Sequence, residues 1–371
     1  MGNVVTRVIA GYGEGEGGYV LLASPVGTVN PAHVAHMLDN AYDLYAFDQA
    51  EEMEWRNYEA NAFNLEPGKG YLYANSEDVV LIFPGEAYTG SGEVTLSKVA
   101  GAEWEGWNLV GNPFNEIAYI DREFYTMNSD GSEIIAATSP SIEAMEGIFV
   151  IANTDGETMT FTTSEPANNG KAMLALNLSK GRGVIDRAIV RFSEGDLLPK
   201  FQLNRNSTKV YIQQDNKDYA VVNAEAQGEM PVSFKAKENG SYMLSLSSEE
   251  VAFSYLHLID NMTGNDVDML TTPSYTFNAK TTDYASRFKL VFATKDGPST
   301  GSGTFAFYSN GSWVISNEGE ATLQVIDVNG RILSNEAVNG SVSKAVNAAP
   351  GVYVIRLING DDVKTQKIVV R

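Results

Sequence analysis

Apolar residues in this chain come in short runs, not at helical spacing, and Gly, Asn, Asp and Pro punctuate them. In the middle of the chain the runs fall at 173–178, 188–192, 209–213, 219–222, 230–234, 242–246, 255–260 and 288–293. Runs rich in β-branched and aromatic residues and bounded by turn formers read as strands. Eight of them at this spacing predict a jelly-roll-like β-sandwich over 168–295. Toward the end, alternation at Leu323 and Val325 leads through 326–328 to Asn329-Gly330, and 351–357 runs through Asn359-Gly360 to 363–370. Each dipeptide predicts a tight hairpin whose two central residues take positive φ. A small immunoglobulin-like sandwich over 304–371 follows, and the whole chain reads as all-β.

The first part of the chain repeats its own pattern. Gly18-Tyr19-Val20-Leu21-Leu22-Ala23-Ser24-Pro25 is echoed by Gly106-Trp107-Asn108-Leu109-Val110-Gly111-Asn112-Pro113. Tyr45-Ala46-Phe47 answers Tyr125-Thr126-Met127, and Gly70-Tyr71-Leu72-Tyr73-Ala74-Asn75 answers 147–153. Blocks in one order, with drift confined to the stretches between them, predict two copies of one β unit, about 18–86 and 106–163, packed as a pseudo-twofold domain over 1–167. Each copy should hold a hairpin, around Gln49-Ala50-Glu51-Glu52 and around Ser129-Asp130-Gly131-Ser132. Copy one alone carries Asn30-Pro31, a cap followed by a first-turn proline, which predicts a short helix over 30–38.

Length and charge sharpen this picture. A chain of 371 residues exceeds one ordinary core, and its 43% hydrophobic fraction supports several. It has no cysteine, which excludes thiolate metal sites, a cysteine nucleophile and disulfides. Residues 1–167 hold 26 Asp and Glu against 5 Lys and Arg, a net of −21, while 168–371 hold 21 of each. Such a surface repels phosphate backbones, so nucleic acid is not an expected partner. No apolar run is long enough to span a membrane as a helix. The first residues lack the basic and apolar regions of a signal peptide, which predicts that the chain is the C-terminal part of a longer precursor.

Three blocks near the end carry a resemblance: Asp327-Val328-Asn329-Gly330-Arg331, Gly351-Val352-Tyr353-Val354-Ile355-Arg356-Leu357 and Lys367-Ile368-Val369-Val370. In this order they resemble the C-terminal sorting domain of Bacteroidetes proteins exported by type IX secretion. Asp327, Asn329, Gly330, Arg331, Gly351, Tyr353 and Lys367 then stand at its motif positions. The place of the usual Pro-Asn-Pro opening is held by Phe305-Ala306-Phe307-Tyr308-Ser309-Asn310, so the variant looks like that of gut Bacteroides-type surface proteins. The blocks at 68–75 and 106–114, and the strands around His257, Tyr275 and Phe288, resemble repeat and sandwich modules of the same surface proteins. The resemblance implies an extracellular or cell-surface location and export and surface-attachment machinery as partners. Residues 296–303 read as a linker, where a cut on export would fall.

Candidate chemistry is thin. The glycines from Gly13 to Gly18 fit G-x-G-x-x-G formally, but a strand follows them where a helix N-terminus is needed, and Glu14 and Glu16 would repel pyrophosphate. His33 and His36 would share a helix face without a third metal ligand, and His257 alternates with Leu256 and Leu258 on a strand. No nucleophile elbow is present. Acid-rich turns at 128–133, 214–218 and 261–268 offer oxygens for calcium without matching a full calcium loop, and Asp, Asn and Gly favour turns for backbone reasons alone. No other cofactor is expected. Trp55, Tyr58 and Trp104 sit beside charged residues, so they are candidates to stack on sugars or on a partner surface. The reading is therefore a non-catalytic, adhesin-like or ligand-binding surface protein, with a glycan or an extracellular protein as ligand. The alternative is the ancillary tail of a secreted peptidase or glycosidase whose catalytic domain lies upstream.

Overall fold

The computed structural model describes residues 5–13, 18–166, 172–181, 183–201, 206–295, 305–309, 311–317, 319–346, 348–360 and 362–370. The predicted linker at 296–303 lies outside them, as do Glu14 and Glu16 of the glycine-rich stretch. Among the described residues the regular structure is strand, apart from one 3₁₀ turn at Pro31–His33. The chain forms two compact units. Unit 1 contains 1–169, 178–188 and 196–205; unit 2 contains 170–177, 189–195 and 206–371. Two stretches read from sequence as part of the middle sandwich thus group with unit 1.

Unit 1 begins with β1 (Val5–Ile9), β2 (Val20–Ala23), β3 (Tyr42–Phe47), β4 (Trp55–Asn57), β5 (Gly70–Asn75) and β6 (Val79–Phe83). It continues with β7 (Glu93–Thr95), β8 (Trp107–Gly111), β9 (Ala118–Tyr119), β10 (Tyr125–Met127), β11 (Ile134–Ala136), β12 (Ser141–Ile142), β13 (Gly147–Ile151) and β14 (Thr158–Thr160). One antiparallel sheet runs β2-β5-β3-β4 and another runs β8-β13-β10-β11. In both, the first strand pairs with the last and the hairpin lies beyond it. β1 pairs with β6, and β7 with β14. One core gathers Leu22, Leu44, Tyr73, Leu81 and Phe83; the other gathers Val110, Ile148, Val150, Met159 and Phe161.

The predicted helix over 30–38 shrinks to the 3₁₀ turn. Asn30 does cap it, its side chain accepting the N–H of Ala32 at 2.9 Å. Val34 then leaves in extended conformation, and Ala35 bridges to Ile82 instead of adding a helical turn. A strand edge that offers backbone hydrogen bonds outcompetes a second turn of helix. His36 ends in a left-handed conformation (φ 65°) beside Asp39, so the two histidines do not share a helix face.

Unit 2 carries the next strands: β15 (Met173–Lys180), β16 (Gly183–Arg191), β17 (Leu198–Pro199), β18 (Lys209–Gln214), β19 (Lys217–Asn223) and β20 (Gln227–Lys235). They are followed by β21 (Gly240–Glu249), β22 (Phe253–Asp260), β23 (Asn265–Asp268), β24 (Ser274–Ala279) and β25 (Phe288–Thr294). Of these, β17 and the inner ends of β15 and β16 fall in unit 1. The sheet order is β23-β22-β25-β20-β18-β19-β16-β15-β21-β24. The two separate sheets of a jelly roll are replaced by one curled, barrel-like sheet, in which β16 runs parallel to β19 through Ile189–Arg191.

Its two edge strands meet through side chains. Tyr275 of β24 donates to the Asp260 carboxylate at 3.1 Å and accepts from Asn265 of β23 at 2.9 Å. Buried Arg287 clasps Asp260 with Nε at 3.1 Å and Nη2 at 2.8 Å, and donates to the Asn278 carbonyl of β24. Burial alone would raise the Asp260 carboxyl, but the hydrogen bonds from Arg287 and the Met262 N–H hold it below the ordinary value.

The C-terminal part of unit 2 packs β26 (Ala306–Ser309), β27 (Ser312–Ile315) and β30 (Val342–Ala345) against a second sheet. That sheet runs β29 (Ile332–Asn339), β28 (Glu320–Asp327), β31 (Gly351–Asn359), β32 (Asp362–Val370). Trp313, Leu323, Ile355 and Leu357 form its core. Both predicted hairpins are present, with turns unlike those expected. Gly330 alone takes positive φ (80°), because Asp327 accepts the N–H groups of Asn329 and Arg331 and closes a longer turn over a β-bulge. Asn359 pairs with Asp362 and so ends its strand. The sandwich packs on the barrel sheet, where Val314 and Phe307 contact Tyr255, Ile259, Val291 and Ala293.

Candidate binding grooves in unit 1

Unit 1 holds two grooves of similar size. The first, about 460 Å³, is lined by the end of β3 (Phe47, Asp48, Gln49), by Arg56, Phe63, Lys69 and Tyr71, and by Val94 and 107–110. The second, about 470 Å³, is lined by 126–131 at the end of β10, by Arg7, Tyr12 and Glu146, and by 18–21 leading into β2. In each, the second strand of one sheet faces the first strand of the other. The contacts that bring them together are reciprocal: Lys69 bridges to Val110 and Glu146 to Leu22, while the Gly111 N–H donates to Gly68 and the Ala23 N–H to Met145. The approach is close. A Cβ at Gly70 would lie 2.6 Å from the Val110 carbonyl oxygen, and one at Gly111 would lie 2.4 Å from the Ala23 Cβ.

Gln49 fixes the first groove. It lies in the predicted turn and is nevertheless 4% exposed. Its Nε2 donates to the carbonyls of Ser97 (2.8 Å) and Trp107 (3.0 Å), and its Oε1 accepts from Val99 (3.0 Å) and Gly106 (2.7 Å). Beside it lies an aromatic platform: Phe63 stacks on Tyr71 with centroids 5.6 Å apart and planes 10° from parallel. The Arg56 guanidinium lies over Phe63 at 5.1 Å. The Tyr71 hydroxyl accepts the Glu66 N–H and donates to Asn64, which locks the ring; burial pushes its pKa well up. Tyr19, in the second groove, donates to Asp43 at 3.0 Å, and burial together with that carboxylate pushes it up to about 12.

The three aromatic candidates fall into two places, and none lines the first groove. Trp55 sits directly across from Phe47 and packs edge-on against Phe47 (5.3 Å) and Phe149 (6.2 Å). Trp104 packs edge-on against Phe201 at 5.6 Å. Phe149 and Phe201 are themselves 4.8 Å apart, and Phe201 stacks on Trp107 at 4.2 Å, so both tryptophans belong to one packed aromatic cluster. Tyr58 supports the platform from behind, edge-on to Phe63 at 5.3 Å, with its hydroxyl on Asn30. Sequence reasoning missed Arg56, Phe63, Lys69 and Gln49; of these only Phe63, an aromatic isolated among polar residues, gave a signal that could have been used.

The other candidates are absorbed by the fold. His257 stacks on Tyr255 at 4.1 Å and hydrogen-bonds Asp266 at 2.7 Å. In the acid-rich turns the oxygens serve the turns: Asn128 accepts from Ser132 and Glu133, Asp130 from Ser132, and Asp268 from Leu270. Among the described residues no three His, Asp or Glu side chains converge as a metal site would require. At the C-terminus, Asp327, Asn329, Gly330 and Arg331 form the bulged turn, with Asp327 and Arg331 paired at 3.1 Å. Tyr353 packs on Trp313 and donates to Ala349, Gly351 opens β31, and Lys367 lies opposite Val354 on β32.

Residues 309–371 match the family described as the secretion system C-terminal sorting domain. No curated protein matches the sequence. A tail of this kind marks proteins exported by the type IX system of Bacteroidetes to the cell surface or the extracellular space, and it implies contact with the export machinery.

Proposed function

We propose that this chain is a secreted recognition protein without catalytic activity, and that unit 1 binds a neutral glycan in the groove beside Gln49. The observation that carries the reading is Phe63, half-buried in the groove wall, backed by buried Tyr71 and with the Arg56 guanidinium over its ring. An aromatic face takes the apolar C–H face of a sugar ring, while a guanidinium and nearby carboxylates and amides serve its hydroxyls. The net charge of −21 over 1–167 disfavours sulfated or uronic polymers, which pay like-charge repulsion on approach. We also propose that unit 1 arose by duplication of one β unit. Identical strand orders and the reciprocal bridges Lys69–Val110 and Leu22–Glu146 support this, and the second groove is then the counterpart of the first.

The test is a glycan array on the intact chain, followed by calorimetry on each hit. Phe63→Ala and Arg56→Ala should each weaken binding about tenfold or more, in line with the roughly 1–2 kcal/mol such contacts contribute. Trp55→Ala serves as a control for packing and should leave the dissociation constant unchanged. Binding that survives both groove variants would sink the proposal.

A further inference from the structure

We infer that Asp186 and Lys200 are the partners of an intramolecular isopeptide bond. Both side chains are buried in unit 1, 2% and 3% exposed. The Lys200 Nζ lies 2.5 Å from Oδ1 and 2.6 Å from Oδ2 of Asp186. The near equality of the two distances shares the nitrogen between both oxygens of the one carboxyl group. The nitrogen also donates to the Arg187 carbonyl at 3.3 Å, which orients it.

The backbone around Lys200 is held on both sides. The fully buried Tyr125 hydroxyl donates to the Pro199 carbonyl at 3.0 Å and accepts the Phe201 N–H at 2.9 Å. Phe201 in turn is packed among Trp107, Tyr125 and Phe149. A nucleophile and an electrophile fixed this way gain the rate advantage of a preoriented intramolecular reaction.

Burial supplies the chemistry. In a dry site the separated charges of an ammonium and a carboxylate are costly, which favours transfer of one proton from Nζ to the carboxyl. The neutral amine attacks Cγ, the Nζ–Cγ bond forms, and one Cγ–O bond breaks. The departing oxygen leaves as water with the transferred proton and one further amine proton, so the products are one amide and one water. No oxidant or other reagent is needed. The role fits the chain: it has no cysteine and therefore no disulfide. The amide would join 178–188 to 196–205, the two stretches of unit 1 that flank 189–195, which group with unit 2.

The deciding experiment is the intact mass of the full chain under denaturing conditions, followed by peptide mapping. The chain should be lighter than its sequence mass by one water, with a branched peptide linking Asp186 to Lys200. Lys200→Arg and Asp186→Ala should each restore the full mass. Wild-type protein at full sequence mass would overturn the inference, and this readout does not depend on how the variants fold. So would a water loss mapped to succinimide at Asp130-Gly131, Asp155-Gly156 or Asp296-Gly297, which mild base reverses while an isopeptide amide survives it.

Discussion

At the scale of single residues, the polar groups that matter most are those the fold buries and satisfies. Arg287 is 2% exposed and joins Asp260, Asn278 and the faces of Phe277 and Phe288. Replacing it by Met leaves the Asp260 carboxylate buried without its main partner, which typically costs about 3–5 kcal/mol. Urea unfolding of Arg287→Met should show a loss of that size, and a loss under ~1 kcal/mol would mean that water replaces the guanidinium. The same pair sets a pH dependence. The Asp260 carboxyl has a lowered folded-state pKa, so its contribution is present above the unfolded value of about 3.9 and disappears as pH falls through the folded one. An acid titration of stability should show this step in the wild type and lose it in Asp260→Asn.

At the scale of elements, the pattern of apolar runs located the strands well, because a strand in a sandwich or barrel must present bulky residues to a core whatever its partners are. Each of the eight runs predicted in the middle of the chain lies within a strand or overlaps one, from β15 to β25. What the pattern did not convey is pairing. The parallel contact of β16 with β19 sets Ile189 opposite Val221 across two intervening strands of the chain, and alternation carries no information on that. Phe201 is the clearest instance. It follows the short strand β17 as one aromatic in a polar stretch, yet it stands 1% exposed between Trp107, Trp104 and Phe149. Phe201→Ala should cost about 3–5 kcal/mol by emptying that cluster, read as a shift in the unfolding midpoint followed by tryptophan fluorescence.

At the scale of the molecule, charge and export belong together. Acidic excess over 1–167 keeps a secreted protein soluble but strains its compact state through self-repulsion. Salt shortens the reach of that repulsion, from roughly 30 Å at 0.01 M to about 10 Å at 0.1 M. The melting temperature should therefore rise with sodium chloride over this range. A flat response would mean that local hydrogen bonds already neutralise the acids, as those from Asn153, Thr154 and Arg122 do for Glu157, whose pKa they lower against its burial.

The sequence by itself determined the all-β class, the position of most strands, the C-terminal hairpins and the address for export. These properties are written in local alternation, turn chemistry and a contiguous block of motifs. Tertiary structure alone decided the curled single sheet and the burial of Gln49, Arg287 and Lys200. It also decided the lodging of Trp55 and Trp104 in a packed cluster, and the groove lined by Arg56 and Phe63. The reason is physical: a side chain's environment is set by segments that arrive from far along the chain. Gln49 keeps its place in the turn, and backbone groups from 97–107 make it a buried crosspiece holding four of them.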